Sequence, residues 1–497
     1  MWGASILSLA ALAALPCANA ITLHKRDDPA VFALPVTRSE RSQALQKRSS
    51  KVASTDLYNE QNLYYMVNIT IGTPPQNLSL SLDIGSSDIW VNVPKSDYCA
   101  AKDDPCSSTG LFNSKDSSTF KQLDYKMNAT YVSAFLAAGH YATDTLVIGG
   151  VKVKDMEFAV AEESQNPHGI LGIGYAINTD AATSQNHTYA NLPEALVNSG
   201  AINSPAYSLW LNKFDGTGNL LFGGVNKARY QGELQTVPVL PLYGKYYSLD
   251  IALTDISVKS SSGTKDFVTG LPLAVTLDNG SAFIALPQEI IDPILKEVGA
   301  GYSKSDDVAY IDCTKSIPDY NVTFSFSGAK VTVPLSELVL EYSQPDFPKG
   351  NCILGLTYSQ PGVNLMGDSF MRGAYIVYDL ANNEISLANT NYDGGDDDIL
   401  EIGTGSDAVP GATLMRDAVT SATGNGAVAT GGAAGAQAQG TTIYVTGTGT
   451  AAATATVTGT AKGGAATSTS KGLAAVQTSN PNRLLPGLLG AGLLLAL

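Results

Sequence analysis

The stretch SLSLDIGSS at residues 79–87 has a counterpart later in the chain, LAVTLDNGS at residues 273–281. In each, an apolar run typical of a buried strand is followed directly by Asp-x-Gly-Ser, which is typical of a tight turn. The two aspartates, Asp83 and Asp278, lie 195 positions apart. The repeat indicates that two similar units each present one carboxylate on a loop.

A second pair of short elements supports this duplication. The apolar-apolar-Gly elements ILG and LMG end at Gly172 and Gly367, each 89 positions after the aspartate of its own half. A period of this length is too long for a solenoid repeat. The equal spacing therefore predicts two pseudo-symmetric domains.

The central part of the chain has the pattern of β structure. Residues 60–395 consist of short β-branched and aromatic runs separated by Gly, Pro, Asn and Asp. Helical patterns are few, and the clearest are at 192–200 and 287–299. We expect an all-β fold of two lobes.

Two carboxylates that face each other cannot both ionise cheaply, so one pKa rises and the other falls. Such a pair can hold one proton and activate a water for attack on a peptide carbonyl. Ser86 and Ser281, three positions after Asp83 and Asp278, can donate hydrogen bonds to their own aspartates. Peptide hydrolysis is therefore the chemistry that this pattern favours.

Three segments carry a resemblance to a known family: LDIGSSDIWVNV (82–93), HGILGIGY (168–175) and MGDSFMRGAYIVYDLANNEISLA (366–388). With these segments the chain resembles the pepsin-type aspartic proteases from about Tyr64 to Ala388, and its two ends, which are described below, are similar to those of the fungal, GPI-anchored, yapsin-like branch. The resemblance implies a bilobal pepsin-like fold with a cleft between the lobes. It also implies that Asp83 and Asp278 are the catalytic pair.

Further expectations come from the same resemblance. Tyr131 is the best match for the tyrosine of the flap that covers the substrate, and Trp90 would support it. One disulfide in each lobe would pair the cysteines as Cys99–Cys106 and Cys313–Cys352. The protein would act on proteins or peptides as a monomer and would need no cofactor.

The chain departs from the family pattern near the catalytic pair. Ile84 and Asn279 stand where Thr or Ser usually joins the two loops across the lobe interface, and Ile84 has no group to donate. The flap reads Tyr-Val-Ser-Ala-Phe from Tyr131 and lacks the usual glycine. These changes leave two alternatives, an active acid endopeptidase and a weak or inactive relative that binds peptides, proteins or wall polymer.

The N-terminus has the pattern of a secretory signal peptide at residues 1–20, with an apolar core and small residues before the cut. Removal of the signal leaves four cysteines, and an even number in an exported chain implies disulfides. Passage through the secretory pathway also fits five sequons, at Asn68, Asn77, Asn128, Asn186 and Asn321.

The next segment, residues 21–48, is predicted to be a pro-segment, because it ends at the dibasic pair Lys47-Arg48. Another dibasic pair, Lys25-Arg26, lies near its start. We expect the N-terminal lobe to span 49–225 and the C-terminal lobe 226–398.

The C-terminal part differs in composition, since 56 of the 80 residues 401–480 are Gly, Ala, Thr or Ser. Residues 399–470 are therefore predicted to be a flexible stalk. The apolar tail at 484–497 is short for a membrane span and follows a spacer and small residues, which favours a GPI-anchor signal at 471–497 with attachment at Ser470.

The composition excludes other classes. The net charge of −15 argues against nucleic-acid binding, which needs a basic face. Five cysteines and four histidines are too few and too scattered for a zinc-ribbon protein, and no metal site is predicted. We expect a secreted protein held at the plasma membrane or cell wall.

Overall fold

The structure is a computed structural model that describes residues 30–40, 61–102, 104–131, 136–214, 218–242, 244–304, 306–313, 320–340 and 350–424. The predicted signal peptide, both dibasic pairs, Ser470 and the anchor signal lie outside the described residues. Within the described residues, none of the helices is long and apolar enough to cross a membrane.

Strands dominate the first half of the chain. They are β1 (Phe32–Glu40), β2 (Gln61–Ile71), β3 (Gln76–Asp83), β4 (Ile89–Asn92), β5 (Lys121–Thr130), β6 (Leu136–Ile148), β7 (Val151–Ser164), β8 (Ile170–Gly172), β9 (Ala206–Trp210), β10 (Gly218–Phe222) and β11 (Gly224–Asn226). Two short helices are α1 (Asp180–Gln185) and α2 (Leu192–Asn198). Single 3-10 turns lie at Ser114–Asp116 and Ala176–Asn178.

The second half is built in the same way. Its strands are β12 (Tyr230–Pro238), β13 (Asp250–Leu253), β14 (Asp255–Ser260), β15 (Gly263–Phe267), β16 (Leu273–Leu277), β17 (Ile284–Leu286), β18 (Gly301–Ser303), β19 (Val308–Asp312), β20 (Asn321–Phe326), β21 (Ala329–Pro334), β22 (Val339–Leu340), β23 (Asn351–Leu354), β24 (Leu356–Tyr358), β25 (Leu365–Met366), β26 (Ala374–Asp379), β27 (Glu384–Thr390), β28 (Ile399–Glu401) and β29 (Ala412–Leu414). Its helices are α3 (Gln288–Val298), α4 (Leu335–Leu338) and α5 (Asp368–Met371), and a 3-10 turn lies at Lys227–Arg229.

The all-β fold class is confirmed, and the two helical patterns of the sequence form α2 and α3. Helix α3 presents an apolar face to the core, and it is capped after Val298 by Gly299, whose φ of 69° is left-handed. Strand β16, by contrast, is buried at all five positions, as expected for a continuous apolar run.

The two halves repeat one local arrangement. Strand β8 pairs parallel with β3 and antiparallel with β4, and β25 pairs in the same way with β16 and β17. A Cβ on Gly172 would lie 2.6 Å from the carbonyl oxygen of Asp88, and one on Gly367 would lie 2.3 Å from that of Ser281. The equally spaced glycines therefore permit the backbones of these three strands to approach closely in each half.

Strands of both halves meet in one continuous sheet, with the order β12-β27-β26-β9-β10-β1-β2 in its central part. Strand β9 of the first half pairs antiparallel with β26 of the second. The largest buried cluster likewise contains side chains from both halves, among them Leu82 and Leu277. This shared sheet and core hold the two aspartate loops against each other.

Both disulfides implied by the resemblance are present. Cys99 is joined to Cys106 with a Cα–Cα distance of 5.3 Å, and Cys313 to Cys352 with a distance of 5.0 Å. Each bond closes a loop within one half of the chain.

The predicted start of the stalk at residue 399 is wrong. Strand β28 pairs with β11, and β29 pairs parallel with β12. Ile402 is fully buried and Val409 is 8% exposed, in one cluster with Val225. The packed structure therefore continues to residue 424, because a few apolar side chains in this Gly-rich stretch pack on strands of both halves.

Candidate active site

Asp83 and Asp278 meet at the ends of β3 and β16, and both side chains are fully buried. The backbone N–H of Gly85 donates to Oδ1 of Asp83 at 3.0 Å and to Oδ1 of Asp278 at 3.2 Å. One donor from the first loop thus holds an oxygen of each carboxyl group, which places the two groups side by side.

Gly85 is required by this arrangement. A Cβ at this position would lie 2.8 Å from Cγ of Asp278, which is closer than real side chains allow. In the second loop, Gly280 N–H donates to Oδ1 of Asp278 at 2.8 Å. The glycine of each Asp-x-Gly-Ser motif therefore supplies a backbone donor that approaches a carboxyl group directly.

The two motif serines differ. Ser86 donates a short hydrogen bond to Oδ2 of Asp83, as predicted. The same prediction is wrong for Ser281, whose hydroxyl lies 3.3 Å from both the N–H and the carbonyl oxygen of Phe283. The hydroxyl of Ser281 satisfies the buried backbone of its own turn instead. Oδ2 of Asp278 has no hydrogen-bond partner within the described residues.

The link between the two loops is carried by Asn279. Its Oδ1 accepts from the N–H of Ile84 at 3.1 Å, and its Nδ2 donates to the carbonyl oxygen of Leu82 at 2.9 Å. Leu82 and Ile84 flank Asp83, so the side chain of Asn279 binds the backbone of the first loop on both sides of Asp83. Asn279 therefore bonds the first loop from the second. Ile84, at the equivalent position of the first loop, is buried and has no hydroxyl to form the reciprocal hydrogen bonds to the second loop.

Tyr378 of β26 is a residue that the sequence reasoning missed. Its buried hydroxyl donates to the carbonyl oxygen of Leu277, the residue before Asp278, at 3.4 Å. Its ring stacks on Tyr207 with 5.0 Å between centroids. The motif YIVYD contains this tyrosine, but nothing in its spacing indicates that it reaches the aspartate loop.

Trp90 and Tyr131 are joined directly, as the resemblance implies. Nε1 of Trp90 donates to Oη of Tyr131 at 2.7 Å, and both side chains are buried. Burial, followed by the charge of Asp83, raises the pKa of Tyr131, so its hydroxyl stays protonated. The residues at 132–135 lie outside the described part of the chain.

Another buried carboxylate, Asp88, lies beside the apolar cluster that contains Trp90 and Tyr131, and the sequence analysis missed it as well. It accepts hydrogen bonds from the hydroxyls of Tyr141 at 2.7 Å and Tyr189 at 2.6 Å, and from the N–H of Asp180 at 2.7 Å. Burial raises the pKa of Asp88 to about 6 despite these three donors. Tyr141 and Tyr189 belong to the same apolar cluster as Trp90, so Asp88 anchors the base of that cluster.

The electrostatics of the pair fit a shared proton. Burial is the largest cause that raises the pKa of Asp83 well above its usual value, and the neighbouring charge of Asp278 adds to it. Burial raises the pKa of Asp278 to about 6, against the donors Gly280 and Gly85. Two coupled carboxyl groups of this kind lose their protons in two separate steps that belong to the pair, so one proton is held between the steps.

The other predicted positions lie away from the pair. Asn68, Asn77, Asn128 and Asn186 are exposed and Asn321 is half-buried. Their glycosylation stays a prediction. Within the described ranges, no three His, Cys, Asp or Glu side chains are grouped closely enough to hold a metal ion.

Comparison with known proteins agrees with this geometry. The family model of the eukaryotic aspartyl proteases matches residues 64–390. A probable aspartic-type endopeptidase, opsB, of Aspergillus oryzae is 42% identical over 432 residues, which cover 85% of this chain and 88% of the relative. The corresponding protein of Arthroderma benhamiae is 38% identical, with 81% and 85% covered. Yapsin-3 of Saccharomyces cerevisiae is 33% identical over 74% of each chain.

The resemblance to yapsin-like proteases is thereby confirmed. The matched region contains both aspartate loops, Trp90 and Tyr131, and the strands that hold them. The chain belongs to the eukaryotic aspartyl protease family.

Proposed function

We propose that this protein is an acid endopeptidase of the fungal cell surface, with Asp83 and Asp278 as its catalytic pair. The observation that carries the proposal is the N–H of Gly85, which donates to both buried carboxyl groups at once. The names of the relatives, aspartic-type endopeptidase and aspartic proteinase, support the same activity.

The geometry accounts for the chemistry. At acid pH the pair holds one proton. The ionised carboxylate removes a proton from a water as the water oxygen attacks the peptide carbonyl carbon, and the protonated partner donates to the carbonyl oxygen. When the C–N bond breaks, one carboxyl group of the pair gives its proton to the leaving nitrogen and the other takes a proton from a hydroxyl of the tetrahedral intermediate, so the pair again holds one proton.

Tyr131 and Trp90 would act on the substrate side of this pair. Because Tyr131 keeps its proton and is held by Trp90, its ring occupies a fixed place at the point where the predicted flap begins. The proposed reaction uses the two carboxyl groups, these side chains and the backbone donors, and we expect it to need no cofactor.

Export and anchoring are supported by the two ends of the sequence. A signal peptide at 1–20 and an anchor signal at 471–497 with attachment at Ser470 would place the lobes outside the plasma membrane, on a stalk. Deletion of 484–497 should release the protein to the medium. Retention on membranes after this deletion would contradict the anchor.

The test of the activity is hydrolysis of a mixed peptide library between about pH 3 and 7, with and without a pepstatin-like transition-state analogue. We expect internal cleavage at acid pH that the analogue abolishes. Cleavage that the analogue leaves unchanged would assign the activity to another mechanism.

Two observations favour a second candidate, a peptide-binding protein with little or no activity. Ile84 lacks the hydroxyl for the reciprocal link, and Ser281 is turned away from Asp278. This candidate predicts binding of the analogue without cleavage of any peptide. It also predicts that Ile84→Thr, combined with Ser133→Asp and Ala134→Gly in the flap, would restore cleavage.

A further inference from the structure

We propose that residues 415–424, here called the C-terminal strap, position Asp278 for catalysis. The strap follows β29 and ends beside Leu273, the first residue of the strand β16 that leads to Asp278. The sequence predicted only a stalk for this part of the chain. The inference deepens the proposed function and rests on it, because it assigns positioning residues to the same catalytic pair.

The first argument is a row of backbone donors on one side of β16. The N–H groups of alternate residues in a strand point to the same side. The first of the three, the N–H of Ala274, donates to the carbonyl oxygen of Thr423 in the strap at 2.7 Å. The next two, at Thr276 and Asp278, donate to carbonyl oxygens just before and within β25, at 3.0 Å and 3.4 Å. Strand β25 is too short to reach Ala274, so the strap continues its side of the sheet.

The second argument is that the first half has the same row of donors. Ser79 lies 195 positions before Ala274 and donates its N–H to the carbonyl oxygen of Thr109 at 2.8 Å. Thr109 belongs to the first half itself, in the loop that follows the Cys99–Cys106 disulfide. The equivalent partner in the second half is Thr423 of the strap. Both aspartate strands therefore have a backbone acceptor at this point, and in the second half the strap supplies it.

The third argument is the contact between the strap and Asn364. The side chain of Asn364 is buried, and its Nδ2 donates to the carbonyl oxygen of Ala274 at 3.2 Å. The backbone carbonyl of the same residue accepts from Thr276. A Cβ on Gly424, whose φ is 101°, would lie 2.5 Å from Nδ2 of Asn364. The strap therefore packs directly against the residue that bonds β16 twice, and glycine permits this approach.

The strap is held along its length, which gives its end a defined place. At its start, the N–H of Met415 donates to the carbonyl oxygen of Thr236 in β12 at 2.9 Å. Farther along, the N–H of Val419 donates to Oγ of Ser327, in the turn between β20 and β21, at 2.9 Å. Ala422 is buried in a small cluster that includes a side chain of β16. The strap thus joins the sheet shared by both halves to the second aspartate strand.

This arrangement should affect catalysis because β16 is short. It has five residues, all of them buried, and Asp278 follows directly. A shift at the start of the strand would therefore move the carboxyl group at its other end relative to Asp83. Misplacement of a catalytic group raises the barrier of the chemical step more than it weakens substrate binding. The strap should accordingly influence kcat more than KM.

Gly424→Ala is the direct test, with Gly411→Ala as its matched control. Both glycines have a positive φ, 101° and 72°, but a Cβ on Gly411 would meet nothing within 4 Å. In peptide hydrolysis by the full chain at acid pH, Gly424→Ala should lower kcat by about threefold to tenfold and change KM by less than about twofold. Gly411→Ala should leave both unchanged. A wild-type kcat for Gly424→Ala, or an equal loss in Gly411→Ala, would overturn the proposal.

Removal of the Asn364 side chain gives a second test. Asn364→Ala should lower kcat as well, because it deletes the hydrogen bond to Ala274. In this background Gly424→Ala should cause no further loss, because its Cβ then meets no side-chain amide, and the effects of residues in contact are not additive. Losses that multiply in the double variant would mean that Gly424 does not act through Asn364, and they would overturn the proposal.

Amide hydrogen exchange measures the same effect without any proteolysis by the protein. Gly424→Ala should speed exchange at the N–H groups of Thr276 and Asp278 by about tenfold or more, and Gly411→Ala should not. Unchanged exchange at these two positions in Gly424→Ala would overturn the proposal, whether or not the protein is active. Faster exchange in Gly424→Ala, together with a wild type that cleaves no peptide, would support the role of the strap in placing β16 and would contradict the proposed activity.

Discussion

Replacement of Asn279 by alanine tests the link between the two aspartate loops. The change removes both hydrogen bonds of the side chain, at 3.1 Å and 2.9 Å, and leaves the buried N–H of Ile84 and the buried carbonyl of Leu82 without these partners. A buried polar group left unpaired costs about 1–3 kcal/mol. Asn279→Ala should therefore lower the free energy of unfolding by about 2–6 kcal/mol.

The same change should reduce catalysis. Ile84 precedes Gly85, whose N–H holds both carboxyl groups, so a looser loop displaces the donor that positions them. We expect kcat to fall by about tenfold or more, with a smaller change in KM, because misplacement of catalytic groups affects the transition state most.

Asn279→Thr is the matched control. One hydroxyl can accept from Ile84 and donate to Leu82, so this variant should lose less than about 1.5 kcal/mol. The assays are urea unfolding and peptide hydrolysis, both near pH 4.5. This role of Asn279 is refuted if the free energy of unfolding of Asn279→Ala lies within about 0.5 kcal/mol of the wild-type value, or if Asn279→Thr lowers it as much as Asn279→Ala.

Three further predictions follow from other parts of the structure. Tyr378→Phe should lower kcat by up to about fivefold, since it removes the hydrogen bond to the carbonyl oxygen of Leu277, the residue before Asp278. We expect a smaller loss in an Ile84→Thr background, where the new hydroxyl should donate to Leu277 instead. An equal loss in both backgrounds would contradict this role of Tyr378. Truncation after Thr390 should lower the melting temperature by at least about 5 °C, because it removes β28 and β29, whereas truncation after Gly424 should change it by less than about 1 °C. Equal melting temperatures of the two truncated proteins would mean that β28 and β29 contribute nothing to stability. The free energy of unfolding should fall as pH rises from about 4 to about 7, because burial raises the pKa of Asp278 to about 6 and the folded state therefore binds more protons than the unfolded state in this window. Asp278→Asn should reduce that fall, and urea unfolding at the two pH values would contradict the sign if the wild type is more stable at neutral pH.

The aspartate pair could be predicted from the sequence because its determinants are local. Each carboxylate follows a buried strand. Gly172 and Gly367 lie at the same distance along the chain from Asp83 and Asp278, and each is a glycine because the backbone of a neighbouring strand leaves no room for a Cβ. The repeat of these elements then predicts two similar lobes, each with one carboxylate. These features depend on residue type and spacing, which the sequence states directly.

Orientation and long-range packing could not be predicted in the same way. Ser86 and Ser281 occupy equivalent positions, yet only Ser86 bonds its aspartate, because Phe283 offers Ser281 a buried backbone partner. The error at residues 399–424 has a different cause. Composition averaged over a long window conceals a few apolar residues such as Ile402, which pack on strands about 180 positions earlier in the chain.

The central claim, that Asp83 and Asp278 act together on one proton, is tested most directly by the pH dependence of kcat/KM for the wild type, Asp83→Asn and Asp278→Asn. Asparagine keeps the shape of each side chain but cannot share the proton. We predict a wild-type rate that is highest at acid pH and falls as rising pH removes the proton that the pair shares, and no cleavage by either folded variant. Cleavage by both variants at the wild-type rate would contradict the account.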